Sequence, residues 1–255
     1  MQPIEIEKLL KAGVHFGHLT RKWNPAMAPY IFMERNGIHI IDLKKTAAKL
    51  DESRKALASI AASGKKILFV ATKKQAKEIL EEQMKGLNMP YITERWPGGM
   101  LTNFVTIRKA IKKMQTIDKM IADGTFDSLS KRERLQVTRQ RAKLERQLGS
   151  IADMNRLPGA LFIVDVMREH IAVKEAKKLG IPTFALVDTN SNPNDVDYAI
   201  PGNDDASKSI KAVLEYVSEA VKEGLSTRKE DKAEAPAPAE KKKPATKEAE
   251  AKAAE

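Results

Sequence analysis

Three short runs in this 255-residue chain are apolar almost throughout: Ile67-Leu68-Phe69-Val70-Ala71, Ala160-Leu161-Phe162-Ile163-Val164 and Thr183-Phe184-Ala185-Leu186-Val187. A half-exposed strand alternates apolar and polar residues. An unbroken apolar run of this length is a strand covered on both faces. After the first run, Lys74 to Leu87 reads as a helix with Ile79, Leu80 and Met84 inward, followed by a short strand at Tyr91-Ile92. After the second, Ile171 to Leu179 reads as a helix closed by Gly180. After the third come a short strand, Tyr198-Ala199-Ile200, and a helix from about Ala206 to Lys222. Strand and helix in alternation predict an α/β fold: an open, mostly parallel sheet with helices on both faces.

The N-terminal part is organised differently. Gly13-Val14-His15-Phe16-Gly17-His18 reads as a turn or loop. Two apolar runs follow, Tyr30-Ile31-Phe32-Met33 and Ile38-His39-Ile40-Ile41, with Asn36-Gly37 between them. That pair favours a two-residue type I′ turn, so a β-hairpin is expected. Lys44 to Ser63 reads as a helix with Leu50, Leu57 and Ile60 on one face and Gly64 at its end.

Residues 103–153 interrupt the alternation. Phe104, Ile107, Ile111, Met114, Ile117 and Ile121 recur every three or four residues, Asp123-Gly124 breaks the pattern, and a second helix starts near Ser130. Narrow apolar seams and a short connection predict an antiparallel helical hairpin protruding from the sheet domain. Its entrance is Arg95-Trp96-Pro97-Gly98-Gly99-Met100-Leu101-Thr102-Asn103. Two glycines and a proline between strand and helix expose backbone N–H groups at a positive dipole end, with Thr102 or Asn103 as cap. Such a corner could hold a phosphate or be an ordinary turn. Gly98 is expected to need a positive φ.

Charge is segregated. Residues 1–102 carry +7 and residues 103–153 carry +6, with twelve Lys and Arg against six acids, whereas residues 154–225 carry −3. Twelve bases cannot be cancelled by six acids, so the helical segment presents net positive charge, as a polyanion-binding surface does. From Ser226 onward the chain is Lys, Glu, Ala and Pro without large apolar residues, the composition of a disordered tail. Zero cysteines exclude thiol catalysis, disulfides and Cys-type zinc sites and fit a reducing cytoplasm. No stretch approaches the ~18 apolar residues of a membrane span, and the acidic, mixed start at Met1-Gln2-Pro3-Ile4-Glu5 is unlike a signal peptide.

Enzyme motifs are weak. Gly64-Lys65 lacks the first glycine of a P-loop, since Ser59 stands there, and Lys66 replaces its Ser or Thr. No G-x-G-x-x-G follows a strand. His15 and His18 lack a clear third metal ligand, and Glu169-His170 lies at a helix start where Glu is favoured anyway. Asp165, Asp188, Asp204 and Asp205 each follow a predicted strand, where α/β proteins place ligands. They could serve a metal- or phosphate-dependent enzyme, or simply cap the last helix and shape the Asp188-Thr189-Asn190 turn. A DNA-binding reading has no helix-turn-helix or finger pattern behind it.

Larger segments add up to more than any one motif. In order, they are Gly13 to His18; Trp23-Asn24-Pro25; Arg35-Asn36-Gly37-Ile38-His39-Ile40-Ile41-Asp42-Leu43; Arg95 to Asn103; Glu169-His170-Ile171-Ala172 with Glu175-Ala176; Gly180-Ile181-Pro182; Val187-Asp188-Thr189-Asn190; and Ile200-Pro201-Gly202-Asn203-Asp204-Asp205-Ala206. Over roughly residues 5–225 the chain closely resembles the bacterial-type small-subunit ribosomal protein S-two family. The resemblance implies a flavodoxin-like α/β domain with a protruding helical hairpin. It also implies a non-catalytic place in the small ribosomal subunit, binding to its RNA, and help in docking the large RNA-binding protein S-one.

The expected organisation is a sheet domain from residues 1–102 and 154–225, an inserted hairpin at 103–153 and a tail at 226–255. The RNA-facing candidates are Arg21, Lys22 and Trp23 in the N-terminal loop, and Arg95, Trp96, Gly98, Gly99 and Asn103 at the corner. On the helices they are Arg108, Lys109, Lys112, Lys113, Arg132, Arg134, Arg139, Arg141, Lys143 and Arg146. Trp23 and Trp96 either stack on bases or pack beneath the sheet. No catalytic residue, cofactor, metal, small-molecule substrate, membrane contact or homo-oligomer is expected, and the location is cytoplasmic.

Overall fold

The computed structural model of the chain describes residues 3–234. A short helix α1 (Ile6–Lys11) precedes strand β1 (Phe16–Leu19), and β2 (Ile31–Arg35) and β3 (Ile38–Ile41) form the expected hairpin. At its tip Asn36 and Gly37 have φ of 54° and 73°, the two positive values a type I′ turn needs. The predicted Gly13–His18 loop is a correction. Part of it is strand β1, which pairs antiparallel with β3 (Phe16 with Ile40, Leu19 with Ile38) to give a three-stranded sheet ordered β1-β3-β2. The run contains two glycines and two histidines, which hid a strand specified by its long-range partner rather than by local pattern.

Helix α2 (Leu43–Ala62) begins where the Asp42 carboxylate accepts the Lys44 N–H at 2.9 Å. Then come β4 (Ile67–Val70), α3 (Lys74–Lys85), β5 (Tyr91–Ile92), α4 (Phe104–Ala122), α5 (Lys131–Leu148), β6 (Ala160–Val164), α6 (His170–Lys178), β7 (Thr183–Val187), β8 (Tyr198–Pro201) and α7 (Ser207–Glu234). All pairings among β4 to β8 are parallel, in the order β5-β4-β6-β7-β8. With the five strands counted along the chain this is 2-1-3-4-5, the flavodoxin-like order, whose direction switches between β4 and β6.

The unbroken apolar runs follow from this burial. Along β4, Ile67 and Phe69 face one layer, packed with Leu57 of α2, Leu80 of α3 and Val217 of α7. Leu68 and Val70 face the other, with Trp96, Ile111 of α4, Leu148 of α5 and Ala176 of α6. Every residue of β4, β6 and β7 is buried, and truncating one of the central rings, such as Phe162, is expected to cost about 3–5 kcal/mol.

Residues 103–153 hold the two helices α4 and α5, which touch along part of their length. Ile111, Met114 and Ile117 of α4 are buried, and Arg141 of α5 pairs with Asp118 of α4. α5 starts with a capping box in which Ser130 and Glu133 satisfy each other's backbone N–H groups. Away from the sheet the apolar cover thins, leaving Ile121 and Leu135 exposed. α7 runs past Lys222 to Glu234, into the segment expected as a tail. Lys, Glu and Ala are good helix formers, and no proline intervenes before Pro236. Residues 235–255, with the rest of the expected tail, lie outside the described residues.

Candidate functional site

The corner between β5 and α4 is an anion cradle that the chain fills itself. The carboxylate of Glu175, on the buried face of α6, sits inside the turn. One of its oxygens accepts the Gly99 N–H at 2.8 Å and the Trp96 indole N–H at 3.1 Å. The other accepts the Leu101 N–H at 2.9 Å, the Thr102 N–H at 3.0 Å and the Thr102 hydroxyl at 3.1 Å. Burial opposes its ionisation, but the hydrogen bonds from Thr102, Trp96, Leu101 and Gly99 outweigh that and hold Glu175 below the usual carboxylate range.

The corner expectations are corrected accordingly. Trp96 is 5% exposed and bonded to Glu175, so its ring is packed beneath the sheet rather than offered to a base. The Gly99 N–H is likewise spent internally. Gly99, not Gly98, holds the left-handed conformation (φ 84°), and a Cβ at Gly98 would meet nothing within 4 Å. Asn103 makes no side-chain cap to α4; its Oδ1 accepts the Thr106 hydroxyl at 2.9 Å instead. Arg95, Gly98 and Asn103 remain at the surface.

The second arrangement is at the carboxyl ends of the parallel strands. Lys73 follows β4, Asp165 follows β6, Asp188 follows β7, and Asp204 and Asp205 follow β8. The Lys73 ammonium reaches Asp165 at 2.9 Å, Asp204 at 2.6 Å and Asp205 at 2.8 Å. Burial works against its charge, yet the carboxylates dominate and raise its pKa. His18, on β1, places Nδ1 3.0 Å from Asp188 and Nε2 3.2 Å from Asp205. β1 comes this close because residue 17 is glycine. A Cβ there would stand 2.6 Å from Thr189 Cγ2, whereas the actual chain donates the His18 N–H to Thr189 Oγ1 at 2.8 Å. Hydrogen bonding to Asp188 raises the His18 pKa despite burial. Asp204 is pushed up to about 7 by burial and by the charges of Asp188 and Asp165, against the pull of Lys73. For Asp205, burial pushes upward but Lys73 and His18 prevail and lower it.

The four expected aspartates therefore do converge, three of them on Lys73 and the fourth, Asp188, on His18. The cap reading fails for Asp204 and Asp205: Asn203 Oδ1 accepts the N–H groups of Asp205 and Ala206 instead. Asp188 does shape its turn, accepting the Thr189 N–H at 2.5 Å. His15 lies apart from His18, with its ring 4.0 Å from Phe16 and its pKa lowered by burial. Glu169 and His170 each hydrogen-bond elsewhere rather than to each other. Glu169 accepts the Thr72 hydroxyl, and His170 Nδ1 lies 3.2 Å from the Met167 carbonyl. Burial raises the Glu169 pKa, with Thr72 acting against it. Lys73 and Glu175 had faint sequence signals: a lysine just beyond a buried strand, and a glutamate between Ala172 and Ala176 on the apolar face of α6.

The third arrangement is the basic surface of α4 and α5. Arg134 lies 3.7 Å from Asp127, Arg141 binds Asp118 and Glu145, and Arg146 reaches Glu94 at 3.4 Å. Arg108, Lys109, Lys112, Lys113, Arg132, Arg139 and Lys143 are exposed and make no ion pair among the described residues. In the N-terminal loop Arg21 and Lys22 are exposed. Trp23 is 39% exposed, with its ring tilted against His39 at 5.2 Å. None of the helices among the described residues is long and apolar enough to cross a membrane.

The family model for ribosomal protein S2 matches residues 9–224. A protein of Flavobacterium johnsoniae named small ribosomal subunit protein uS2 is 68% identical over 250 residues, covering 96% of this chain and 98% of that one. Proteins of the same name from Parabacteroides distasonis and Christiangramia forsetii are 67% and 72% identical, over 93% and 89% of this chain and 85% and 76% of theirs. The chain belongs to the ribosomal protein S2 family.

Proposed function

We propose that this member of the ribosomal protein S2 family is a structural, non-catalytic constituent of the small ribosomal subunit in the cytoplasm, and that it holds the subunit RNA through α4 and α5. The name shared by these relatives, small ribosomal subunit protein uS2, supports the particle. The observation that carries the RNA contact is the set of exposed, unpaired cations on those two helices, where the acids are already engaged: Asp118 and Glu145 with Arg141, Asp127 with Arg134, Glu133 with Ser130. Cations without protein partners are free to displace counterions from phosphates. Residues 103–153 then act as an inserted arm on a sheet domain of residues 1–102 and 154–225. Arg21, Lys22, Trp23, Arg95, Gly98 and Asn103 form a secondary contact at the surface. The acidic block after residue 154 faces protein neighbours, among which the family resemblance implies protein S-one.

The test is binding of the full chain to small-subunit RNA across a salt gradient. Replacing Lys112, Lys113 and Arg139 together by Ala is expected to reduce the slope of log K against log salt by about 2, at roughly 0.7–0.9 per phosphate contact, with the melting temperature unchanged. Arg141→Ala, which removes an internally paired cation, is expected to change the slope by less than about 0.5. A triple variant with the wild-type slope would sink the assignment of the arm as the RNA-binding face.

A further inference from the structure

Residues 154–225 are acidic as a sum, but the exposed face of α6 is not. Half of that block's eight Lys and Arg, namely Arg168, Lys174, Lys177 and Lys178, fall within residues 168–178, with Glu169 and Glu175 as the acids among them. Both acids are drawn into the interior. Glu169 is 4% exposed and accepts the Thr72 hydroxyl, and Glu175 is 8% exposed and fills the corner. His170, Lys174, Lys177 and Lys178 follow one another at helical spacing and share the opposite, exposed face. None of these three lysines makes an ion pair among the described residues. The helix dipole accounts for Lys177 and Lys178 in the last turn. It does not account for Lys174, nor for Arg168 and His170 at the end where the dipole favours acids.

α6 stands as a ridge between two hollows. One, of about 470 Å³, runs from Asn24 past Met167, His170 and Lys174 to Asn190. Asp195, the acid on its rim, accepts the Asn192 amide at 3.3 Å. The other, of about 320 Å³, lies between Thr102 and the side chains of His170, Ile171, Lys174 and Lys178. Asn24 directly follows Arg21, Lys22 and Trp23, and Thr102 directly precedes Asn103 at the entrance of α4. α6 thus joins the N-terminal loop to the corner, on the same layer of the sheet as α4 and α5. Its exposed side chains are also mixed in the way RNA requires. The lysines suit phosphates, while the His170 ring, with Met167 64% and Ile171 45% exposed beside it, offers a face to an unstacked base. His170 Nδ1 lies 3.2 Å from the Met167 carbonyl, which orients the ring.

We propose that the outer face of α6 is a second RNA-binding surface, with Lys174, Lys177 and Lys178 on backbone phosphates and His170, Met167 and Ile171 against an unpaired base. The surface rests on the RNA role assigned to α4 and α5 and extends it across the corner to the N-terminal loop. α6 is thereby the exception within a block whose net charge is negative.

The test replaces Lys174, Lys177 and Lys178 together by Ala in the full chain and measures binding to small-subunit RNA across a salt gradient. The slope of log K against log salt is expected to fall by about 2, at roughly 0.7 per single-stranded phosphate contact, with the melting temperature unchanged. Replacing Lys208 and Lys211, exposed on α7, by Ala is expected to change the slope by less than about 0.5, which separates a local contact from a loss of net charge. His170→Ala is expected to weaken binding about fivefold at an unchanged slope, as for one lost stacking contact. A photocrosslinking residue in place of Met167 is expected to link to RNA in assembled subunits. A slope lowered by the α6 variant but not by the Lys112, Lys113 and Arg139 variant would keep the α6 surface and remove the assignment of α4 and α5. A wild-type slope in the α6 variant, an equal fall from the α7 pair, or crosslinks from position 167 to protein alone would each overturn the α6 surface.

Discussion

The corner at Trp96–Thr102 and the edge at Lys73 are opposite solutions to one problem. Both occupy places where doubly wound α/β proteins often hold ligands, a helix entrance and the carboxyl ends of strands beside the switch point. At the corner the chain supplies its own anion, and the match closes: each Glu175 oxygen accepts two or three donors, and the indole and the turn N–H groups are satisfied together. At the edge the chain supplies its own cation, and the match stays open, because one ammonium and one imidazole face four carboxylates and leave Asp204 Oδ2 unpaired. A phosphate cradle already holding a carboxylate has no room for a second anion.

The largest loss is expected from Glu175→Ala. It strands several donors around a buried hole, and a loss of about 5 kcal/mol in urea unfolding is expected, at the top of the range for removing one partner of a buried charged network. The corner also has a pH signature. The folded pKa of Glu175 lies below the ordinary carboxylate value, so its contribution is fully present above about pH 5 and fades as pH falls through that lower folded value. The stability gap between wild type and Glu175→Gln is thus expected to be constant near neutrality and to narrow in acid. A gap that widens in acid would contradict the closed corner.

Lys73→Met should cost less, about 3 kcal/mol, because the half-exposed Asp205 can turn to water when its partner is lost. Chemical denaturation in chelator measures it. A neutral result would mean the edge does not depend on its lysine.

The smallest effects separate the two corner glycines. Gly99→Ala forces a side chain into a left-handed φ with a 3.2 Å contact to Asn103 Cβ, an expected loss of about 1–2 kcal/mol. Gly98→Ala meets open space and should shift stability by less than about 0.5 kcal/mol. Equal melting temperatures for the two variants would remove the special status of Gly99.

Much of the fold was legible in short segments. Runs such as Ala160–Val164 are unbroken because both faces of the strand are covered, and Asn36-Gly37 carries its turn type in its own backbone preferences. Strand β1 was not legible, since its pairing with β3 and the close passage of Gly17 past Thr189 depend on residues far along the chain. The site divided in the same way. The basic excess of residues 103–153 follows from counting, but which cations stay free depends on where Asp118, Asp127 and Glu145 fall across the helices.

By itself the sequence determined the layers, the parallel sheet and a surplus of positive charge on α4 and α5, because burial periodicity and net charge are local sums over residues. Only the tertiary structure decided that Glu175 enters the corner from 73 to 79 residues away, that Lys73 lies among aspartates drawn from two other strand ends, and that His18 joins them from another sheet. The physical reason is range. A carboxylate or ammonium in a dry interior is settled by the few groups within about 3–4 Å of it, and the chain alone does not state which groups those are until the sheet has brought its ends together.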